Sequence, residues 1–230
     1  MKPYHTLTVR GQARRLRWLA LEALRSYDLD LHRIRLVTND FNGIFRIDTP
    51  KKERYILRVV LPQGGHTPDH LTAEMDWLRA LAEETNLSLP RPLPTTKGEL
   101  FIKASAAGIP EGRFCAIFSW VPGGDLANSL SINNLTRLGE LSARLHLHAR
   151  DYHPPANLDL LRFDRVIPFS DPFILFEQRF QNLVSVERRS LFQAAIDRVQ
   201  SALDWLIGSG EPMRLIHGDL HQWNVRCWRG

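Results

Sequence analysis

Residues 213–230 read MRLIHGDLHQWNVRCWRG, and this stretch carries the strongest functional signal in the chain. A short apolar run leads into His217 and Asp219, and Asn224 follows five residues after Asp219. We predict a strand, a loop and a second strand here. Phosphoryl transfer needs a carboxylate that accepts the proton of the attacking hydroxyl and an oxygen ligand for Mg²⁺. The spacing of Asp219 and Asn224 lets both side chains face one cavity, which favours such a site over an ordinary surface turn of similar composition.

Two charged residues upstream fit the same chemistry. A kinase uses a cation on its third strand to hold phosphates and an acid on the next helix to hold that cation. Here Arg58 lies in the predicted third strand and Glu74 in the helix that follows. Arginine stays charged and can bind phosphate through two N–H groups, although it is not interchangeable with lysine. The alternative interpretation is a solvated strand residue and a solvated helix acid.

The composition is typical of a folded globular protein. Of 230 residues, 43% are hydrophobic and 24% charged, and 30 Lys+Arg against 25 Asp+Glu give a formal charge of +5. The excess is spread out, so we expect anionic small ligands and no nucleic-acid partner. The two cysteines lie far apart, which argues against a disulfide framework and a cysteine-rich zinc site. Because no run of about 18 apolar residues occurs, we expect a cytoplasmic protein that does not contact a membrane.

Hydrophobic periodicity gives the first half of the chain a β-rich character. Helical spacing predicts one helix over 9–27 and another that begins near 67 and ends before the prolines of 86–94. Alternating runs bounded by turn residues predict five strands, at 33–38, 44–48, 54–60, 100–103 and 114–120. The first three strands should form an antiparallel meander.

After Trp120 the pattern becomes helical. The sequence Val121-Pro-Gly-Gly-Asp125 is a strong breaker, and we place a hinge at 119–124. Helices are predicted over 134–150 and 187–207. Their inward faces should carry Leu135, Leu138, Leu141, Ala143 and Leu145 in the first helix, and Leu191, Ala194, Ala195, Val199, Leu203 and Leu206 in the second.

Two groups of side chains in this half leave their roles open. His146 lies among apolar neighbours of the first helix, where a packing role is more common than a ligand role. Residues 152–171 have the composition of an irregular loop. Four aromatic residues in this loop or just after it could line an acceptor pocket or cover the core. These aromatic residues are Phe163, Phe169, Phe173 and Phe176.

Taken together, these segments resemble the aminoglycoside/choline phosphotransferase type of small-molecule kinase, which has the protein-kinase-like fold. Six similar segments occur in the family's order: 39–47, 55–59, 73–78, 116–123, 138–146 and 217–224. The first half is also similar to the homoserine-kinase-like bacterial branch. The resemblance implies an α+β bilobal fold with a β-rich nucleotide-binding lobe over 1–118, the hinge at 119–124, and an incomplete helical lobe over 125–230.

The resemblance also implies an activity and its residues. ATP with Mg²⁺ would phosphorylate a hydroxyl of a small molecule such as an aminoglycoside, choline or a homoserine-like compound. Asp219 would be the catalytic base and Asn224 the metal ligand, while Arg58, held by Glu74, would bind phosphate.

The nucleotide would meet two backbone segments. Its adenine would face the backbone of Ser119 to Val121, and Asn42 would lie in the turn over the phosphates. That turn has one glycine rather than the three of protein kinases, which favours the small-molecule branch.

The end of the sequence raises a further expectation. The family has a second metal-binding aspartate on the hairpin after this loop, and the sequence stops at Gly230 before it. We therefore expect a fragment or truncated product that binds metal poorly and transfers phosphate slowly or not at all. Uncovered apolar surface on the second lobe should favour self-association.

Two other functions remain as alternatives. A non-catalytic nucleotide-binding or interaction module would keep the nucleotide site without turnover. A metal-dependent hydrolase would use the alternating His217, Asp219 and His221 as zinc ligands, although the sequence has no further cluster to complete the shell.

Overall fold

The computed structural model describes residues 2–40, 42–62, 66–168 and 176–228. Its helices are α1 (Val9–Leu24), α2 (Pro68–Glu84), α3 (Ile132–Asp151) and α4 (Val186–Gly208). Its strands are β1 (Arg33–Asn39), β2 (Asn42–Asp48), β3 (Arg54–Val60), β4 (Pro92–Leu93), β5 (Ile102–Ala104), β6 (Arg113–Ser119), β7 (Gly124–Asp125) and β8 (Arg226–Cys227). Short 3₁₀ segments cover Tyr4–Thr6, Leu126–Asn128 and Gln178–Leu183.

One antiparallel sheet organises the first half of the chain. Its strand order is β1-β2-β3-β6-β4, and β5 also pairs with β6. The first three strands form the predicted meander, with Ile44 opposite Arg58. Strand β6 lies on the other side of β3 and places Ala116 opposite Arg58. The fold is therefore mixed α and β with an antiparallel N-terminal sheet, as the sequence predicts.

Helices cover both faces of this sheet. Successive side chains of a strand point to opposite sides, so each face presents its own residues to a helix. Leu57 and Val59 of β3 belong to the core cluster that includes Leu16 and Leu19 of α1. Ala116 and Phe118 of β6 pack with Met75 of α2 instead. Arg58 lies between Leu57 and Val59 in sequence, so its side chain projects toward the face that carries α2.

Side-chain caps fix where the helices begin. The hydroxyl of Thr67 accepts a hydrogen bond from the His70 backbone, and His70 Nδ1 accepts one from the Thr67 backbone. Pro68 follows as the first helical residue, where its missing N–H costs no hydrogen bond. At α3 the Ser131 hydroxyl caps the helix by accepting a hydrogen bond from the Asn134 backbone N–H. Such caps each stabilise a helix by about 1 kcal/mol.

The second half of the chain departs from several predictions. Leu135 of α3 is exposed, and the buried residues of that helix are Leu145 and Ala149. No residue of α4 is buried. Residues 211–217 form no strand, so the predicted strand before the loop was wrong, whereas the strand after it is β8. The short strand β4 was not predicted.

His148, rather than His146, is the packed histidine of α3. Its Nδ1 accepts a hydrogen bond from Trp77 Nε1 at 3.1 Å, and its side chain is 7% exposed. His146 is exposed to solvent, so the packing role predicted for it was wrong.

The chain divides into two compact units. One comprises Met1–Leu158 with Ile216–Gly230, and the other comprises Asp159–Leu215. Nothing in this division tests the lobe boundaries at 118 and 125, which stay predictions. Phe169 and Phe173 lie outside the described residues, whereas Phe163 and Phe176 are exposed. Among the described helices, none is long and apolar enough to cross a bilayer.

Candidate functional site

Arg58 and Glu74 form a close ion pair between β3 and α2. Arg58 Nη1 donates to Glu74 Oε1 at 2.7 Å, and Nη2 donates to Oε2 at 2.5 Å. The guanidinium carbon also lies 5.0 Å from the centre of the Phe118 ring. The Arg58 side chain is 14% exposed, so this geometry is held by its surroundings. A two-pronged contact of this kind fixes both the position and the orientation of the guanidinium plane.

Arg58 keeps donors for a second partner. A guanidinium has five N–H donors, and Glu74 takes two of them. Its Nε is buried and has no hydrogen-bond partner among the described residues. The pair can therefore offer N–H groups to an anion while Glu74 holds the cation in place.

The charges of this ion pair affect the pKa values of two histidines. The pKa of His66 is lowered, first by burial and then by the positive charge of Arg58, while Glu74 opposes the shift. The pKa of His217 is lowered because nearby protein atoms displace part of its hydration, while the charges of Asp219 and Glu74 oppose that shift. Glu74 therefore acts on the pKa of His217, which is the first residue of the loop of residues 217–224.

Within that loop, Asp219 and Asn224 are in direct contact. Asn224 Nδ2 donates to the Asp219 carboxylate at 2.8 Å and to the Asp219 backbone carbonyl at 2.8 Å. His221 Nε2 lies 3.3 Å from Asp219 Oδ1. Gly218, with φ of +75°, provides the backbone turn immediately before Asp219. The predicted spacing thus brings the two side chains together.

The donor set of this loop fits a hard divalent cation. The Asn224 amide nitrogen is occupied by Asp219, and its Oδ1 accepts no hydrogen bond from the described residues. The Asp219 side chain is 73% exposed and offers carboxylate oxygens. Amide and carboxylate oxygens are the ligands that Mg²⁺ prefers. Asn224 is the better placed of the two to bind the metal, since one Asp219 oxygen already accepts from Asn224.

The imidazoles of the loop are turned toward its own backbone. His217 Nδ1 accepts from the Asp219 N–H and His221 Nδ1 accepts from the Trp223 N–H, both at 3.3 Å. Across the described residues, no group of three or more His, Cys, Asp or Glu side chains could hold a metal ion. The hydrolase alternative therefore gains no support from the geometry.

The end of β6 and the segment that follows it leave the backbone donor of Val121 open. The Ser119 N–H donates to the Arg91 carbonyl at 2.8 Å, and the Trp120 N–H donates to the Arg54 carbonyl at 3.2 Å. The Val121 N–H has no hydrogen-bond partner within the described part of the chain. Val121 can therefore donate to a bound ligand, whereas the Ser119 N–H is already used.

Asn42 lies at the start of β2, opposite Val60. The side-chain oxygens of Asn39 and Asn42 are buried and accept no hydrogen bond from the described residues. The side-chain oxygen of Asn42 and a phosphate oxygen are both hydrogen-bond acceptors, so they cannot bond to each other. A phosphate contact of Asn42 would therefore use its amide nitrogen or its backbone N–H.

Two residues near the site were missed by sequence reasoning. Arg226 follows the loop and contacts the segment after β6, and Gly123 of that segment approaches the backbone of Cys227. The prediction of a breaker at 121–125 was the available signal for Gly123. For Arg226 no sequence signal exists, because its partners lie about 100 residues away in the chain.

A separate depression of about 370 Å³ lies between α2 and the end of α3. Four carboxylates line it, from Asp76, Glu83, Glu84 and Asp151. It includes none of the predicted site residues.

The chain is similar to known proteins in sequence and in fold. The sequence profile of the phosphotransferase enzyme family matches residues 33–227, which is most of the chain. Among curated proteins, an uncharacterized protein from Synechocystis is 27% identical over 135 residues, which are 58% of this chain and 36% of that protein.

Two solved structures have a similar fold. A microcompartment-associated aminopropanol kinase superposes over 90% of the chain with a TM-score of 0.64 and 24% identity. An amicoumacin kinase in complex with AMP-PNP and Ca²⁺ superposes over 96% with a TM-score of 0.59 and 16% identity. The chain spans 63% and 64% of the lengths of these two structures.

Proposed function

The chain belongs to the phosphotransferase enzyme family, and we propose that it binds ATP with Mg²⁺ and slowly transfers the terminal phosphoryl group to a hydroxyl of a small molecule. The residues that would do so are Arg58, Glu74, Asp219 and Asn224. The proposal includes the lobe boundaries given above and a cytoplasmic location.

The Arg58–Glu74 pair is the observation that carries this proposal. The cation is half of a two-pronged ion pair, yet Nη1 and Nη2 each keep one further N–H donor that Glu74 does not use. The negative charge of Glu74 acts on His217, two residues before Asp219. A phosphate-binding cation and a carboxylate that accepts the proton of the acceptor hydroxyl are two of the elements that phosphoryl transfer requires from the protein.

Each side chain has a distinct role in this reaction. Arg58 offsets phosphate charge, and Glu74 keeps the guanidinium oriented. Asn224 would hold Mg²⁺ through Oδ1, and the metal would supply further neutralisation of phosphate charge when bound. Asp219 would orient the acceptor hydroxyl and accept its proton. Catalysis of this kind rests on positioning and electrostatics.

The nucleotide base would lie at the segment after β6. The open Val121 N–H supports a hydrogen bond to adenine there. Ser119 would contact the base through its carbonyl oxygen, because its N–H already donates to the Arg91 carbonyl. Asn42 would contribute a donor near the phosphates.

The acceptor is proposed as a class. A small polar molecule with a hydroxyl group, such as an aminoglycoside, choline or a homoserine-like compound, suits the family. The aminopropanol kinase and the amicoumacin kinase are kinases of this general kind by name.

A binding titration followed by a transfer assay tests the proposal. We expect the chain to bind AMP-PNP more tightly with Mg²⁺ than without it, and Arg58→Ala to weaken binding about tenfold through loss of a charge-assisted contact. Arg25→Ala, which removes an exposed ion pair with Glu22 on α1, is the matched control and should bind normally.

Two outcomes would contradict parts of the proposal. No AMP-PNP binding by the unmodified chain would exclude the nucleotide site. Binding without phosphate transfer from ATP to any hydroxyl compound tested would leave the non-catalytic nucleotide-binding module as the function.

A further inference from the structure

Arg226 connects the loop of residues 217–224 to the segment of residues 119–125. Its Nη1 donates to Asp125 Oδ1 at 3.0 Å, and its Nη2 donates to the Gly123 carbonyl oxygen. Its guanidinium carbon lies 5.1 Å from the centre of the Trp120 ring. One side chain thus contacts three residues of the segment at which the nucleotide base is proposed to bind.

The backbone reinforces this connection. Strands β7 and β8 pair Asp125 with Arg226 and Gly124 with Cys227. Beyond the strand pair, the Leu126 N–H donates to the Val225 carbonyl at 2.9 Å, and the Ala127 N–H donates to the Gln222 carbonyl at 3.0 Å. The second of these bonds reaches into the loop itself.

Trp120 also receives a cation from the sheet. The guanidinium carbon of Arg46 on β2 lies 5.4 Å from the Trp120 ring centre, and Asp48 holds that guanidinium through hydrogen bonds of 2.8 and 2.5 Å. Strand β2, the segment after β6 and strand β8 therefore meet at one indole ring. A guanidinium above an aromatic ring is attracted to the electron-rich face of that ring, so these contacts stabilise the arrangement electrostatically as well as by packing.

The loop has few other attachments. Within the described part of the chain, the side-chain hydrogen bonds of Asp219, His221 and Asn224 all remain inside the loop. These residues can keep their mutual geometry while the loop as a whole shifts. Strand β8, which carries Arg226, and the backbone bonds from Leu126 and Ala127 therefore attach the loop to the segment of residues 119–127.

We propose that Arg226 is a positioning residue for Asp219 and Asn224. It holds the metal-binding end of the site at a set distance from the base-binding end, so that one nucleotide can reach both. The inference rests on the proposed function for its consequence, but its structural part stands on the contacts of Arg226. Arginine suits this position because its planar group can donate to two acceptors and lie against an aromatic ring, which the single ammonium of lysine cannot do.

The test compares Arg226→Ala and Arg226→Lys with the unmodified chain. The first measurement is the gain in AMP-PNP affinity on adding Mg²⁺, which reports the coupling between the two ends of the site. We expect both variants to reduce this gain about tenfold while the affinity without Mg²⁺ stays within about twofold. Arg25→Ala is again the control, since Arg25 pairs with Glu22 on the surface of α1.

The second measurement is hydrogen exchange, which requires no ligand. The amides of Leu126 and Ala127 report the bonds to Val225 and Gln222. We expect these amides to exchange at least about tenfold faster in Arg226→Ala, while amides of the β2–β3 ladder keep their protection.

The outcomes separate the inference from the proposed function. Unchanged exchange at Leu126 and Ala127 in Arg226→Ala would overturn the inference, whether or not nucleotide binds. An equal loss of affinity with and without Mg²⁺, together with a lower thermal midpoint, would assign Arg226 to fold stability alone and also overturn it. Absence of AMP-PNP binding by the unmodified chain would count against the proposed function, and the exchange result would then decide the inference.

Discussion

Glu74 of α2 accepts two hydrogen bonds from Arg58 of β3, at 2.7 and 2.5 Å, across 16 residues of sequence. The bond pair connects the helix to the sheet at the face where Arg58 projects. Because the Arg58 side chain is 14% exposed, the carboxylate also offsets the cost of keeping that cation away from water.

Glu74→Gln should weaken nucleotide binding. The amide keeps the shape of the side chain but removes the charge that orients Arg58, so we expect AMP-PNP affinity to fall about tenfold, or about 1.4 kcal/mol. We also expect a loss of roughly 1–3 kcal/mol of stability, because the guanidinium loses its ionic partner. Calorimetric titration and urea unfolding measure the two effects.

Glu83→Gln is the matched control on the same helix. Glu83 is exposed and lines the depression beside α3 rather than the proposed site. Equal effects of the two substitutions would show that the charge of α2 matters in general and that the Arg58 contact has no special role.

Asp219→Asn should separate binding from transfer. The amide oxygen can still accept from Asn224, so we expect the loop to keep its shape and AMP-PNP affinity to stay within about twofold. Phosphate transfer to a hydroxyl acceptor should fall at least about 100-fold, because the amide cannot accept the proton. The control is Asp28→Asn at an exposed position. Transfer at the normal rate in Asp219→Asn would exclude the general-base role.

Gly123→Ala should destabilise the protein strongly, although it adds only one methyl group. Gly123 has φ of +110°, and a Cβ there would lie 2.4 Å from the Cys227 carbonyl oxygen. Both the backbone conformation and the contact oppose a side chain, so we expect a loss of about 2 kcal/mol or more. The thermal midpoint should fall accordingly.

Gly124→Ala provides the neighbouring control for that substitution. Nothing lies within 4 Å of a Cβ built at Gly124. Its effect should stay within about 1 kcal/mol in either direction. If the two alanine variants unfold at the same temperature, the close approach of Gly123 to Cys227 is not a constraint on the fold.

Cys115 should resist modification until the protein unfolds. Burial raises the pKa of this thiol from 9.0 to about 12, and the side chain lies in the core cluster. At pH 8.5, a thiol reagent should modify Cys227, which is partly exposed, and leave Cys115 unreacted. Mass spectrometry of the labelled peptides, before and after addition of urea, measures this difference.

The same shift predicts a pH dependence of stability. Well below pH 9 the thiol is protonated in both the folded and the unfolded state, so it does not change the free energy of unfolding with pH. Between about pH 9 and 12 the unfolded thiol ionises and the folded one does not, so stability should fall as the pH rises. The fall in urea midpoint between pH 8.5 and 10 should be smaller in Cys115→Ala. An equal fall in both proteins would assign the alkaline sensitivity to other groups.

The sequence could predict features that depend on local pattern. The meander followed from alternating side chains bounded by turn residues, and α2 began at Thr67 and Pro68 as its cap residues indicated. Asp219 and Asn224 lie five residues apart in one loop, so their contact also needed little more than local geometry.

Other features depend on tertiary packing, that is, on which helix faces and strands come into contact. Leu135 and Leu145 belong to the same predicted apolar stripe of α3, but Leu145 is buried and Leu135 is exposed, because the stripe does not tell how much of a helix is covered. His146 and His148 are two residues apart and point in different directions, and the position of Trp77 decides which is packed. Strand β4 contains a proline and forms because β6 supplies its partner.

The contact between Arg226 and Gly123 joins residues 103 positions apart. Closing so long a loop carries an entropic cost that grows with its length, and it can form only after most of the chain exists. During synthesis on the ribosome, the sheet of β1 to β6 can fold long before residue 226 leaves the exit tunnel. The newly made chain can therefore pass through a stage in which its first half is folded but the proposed catalytic centre is not assembled.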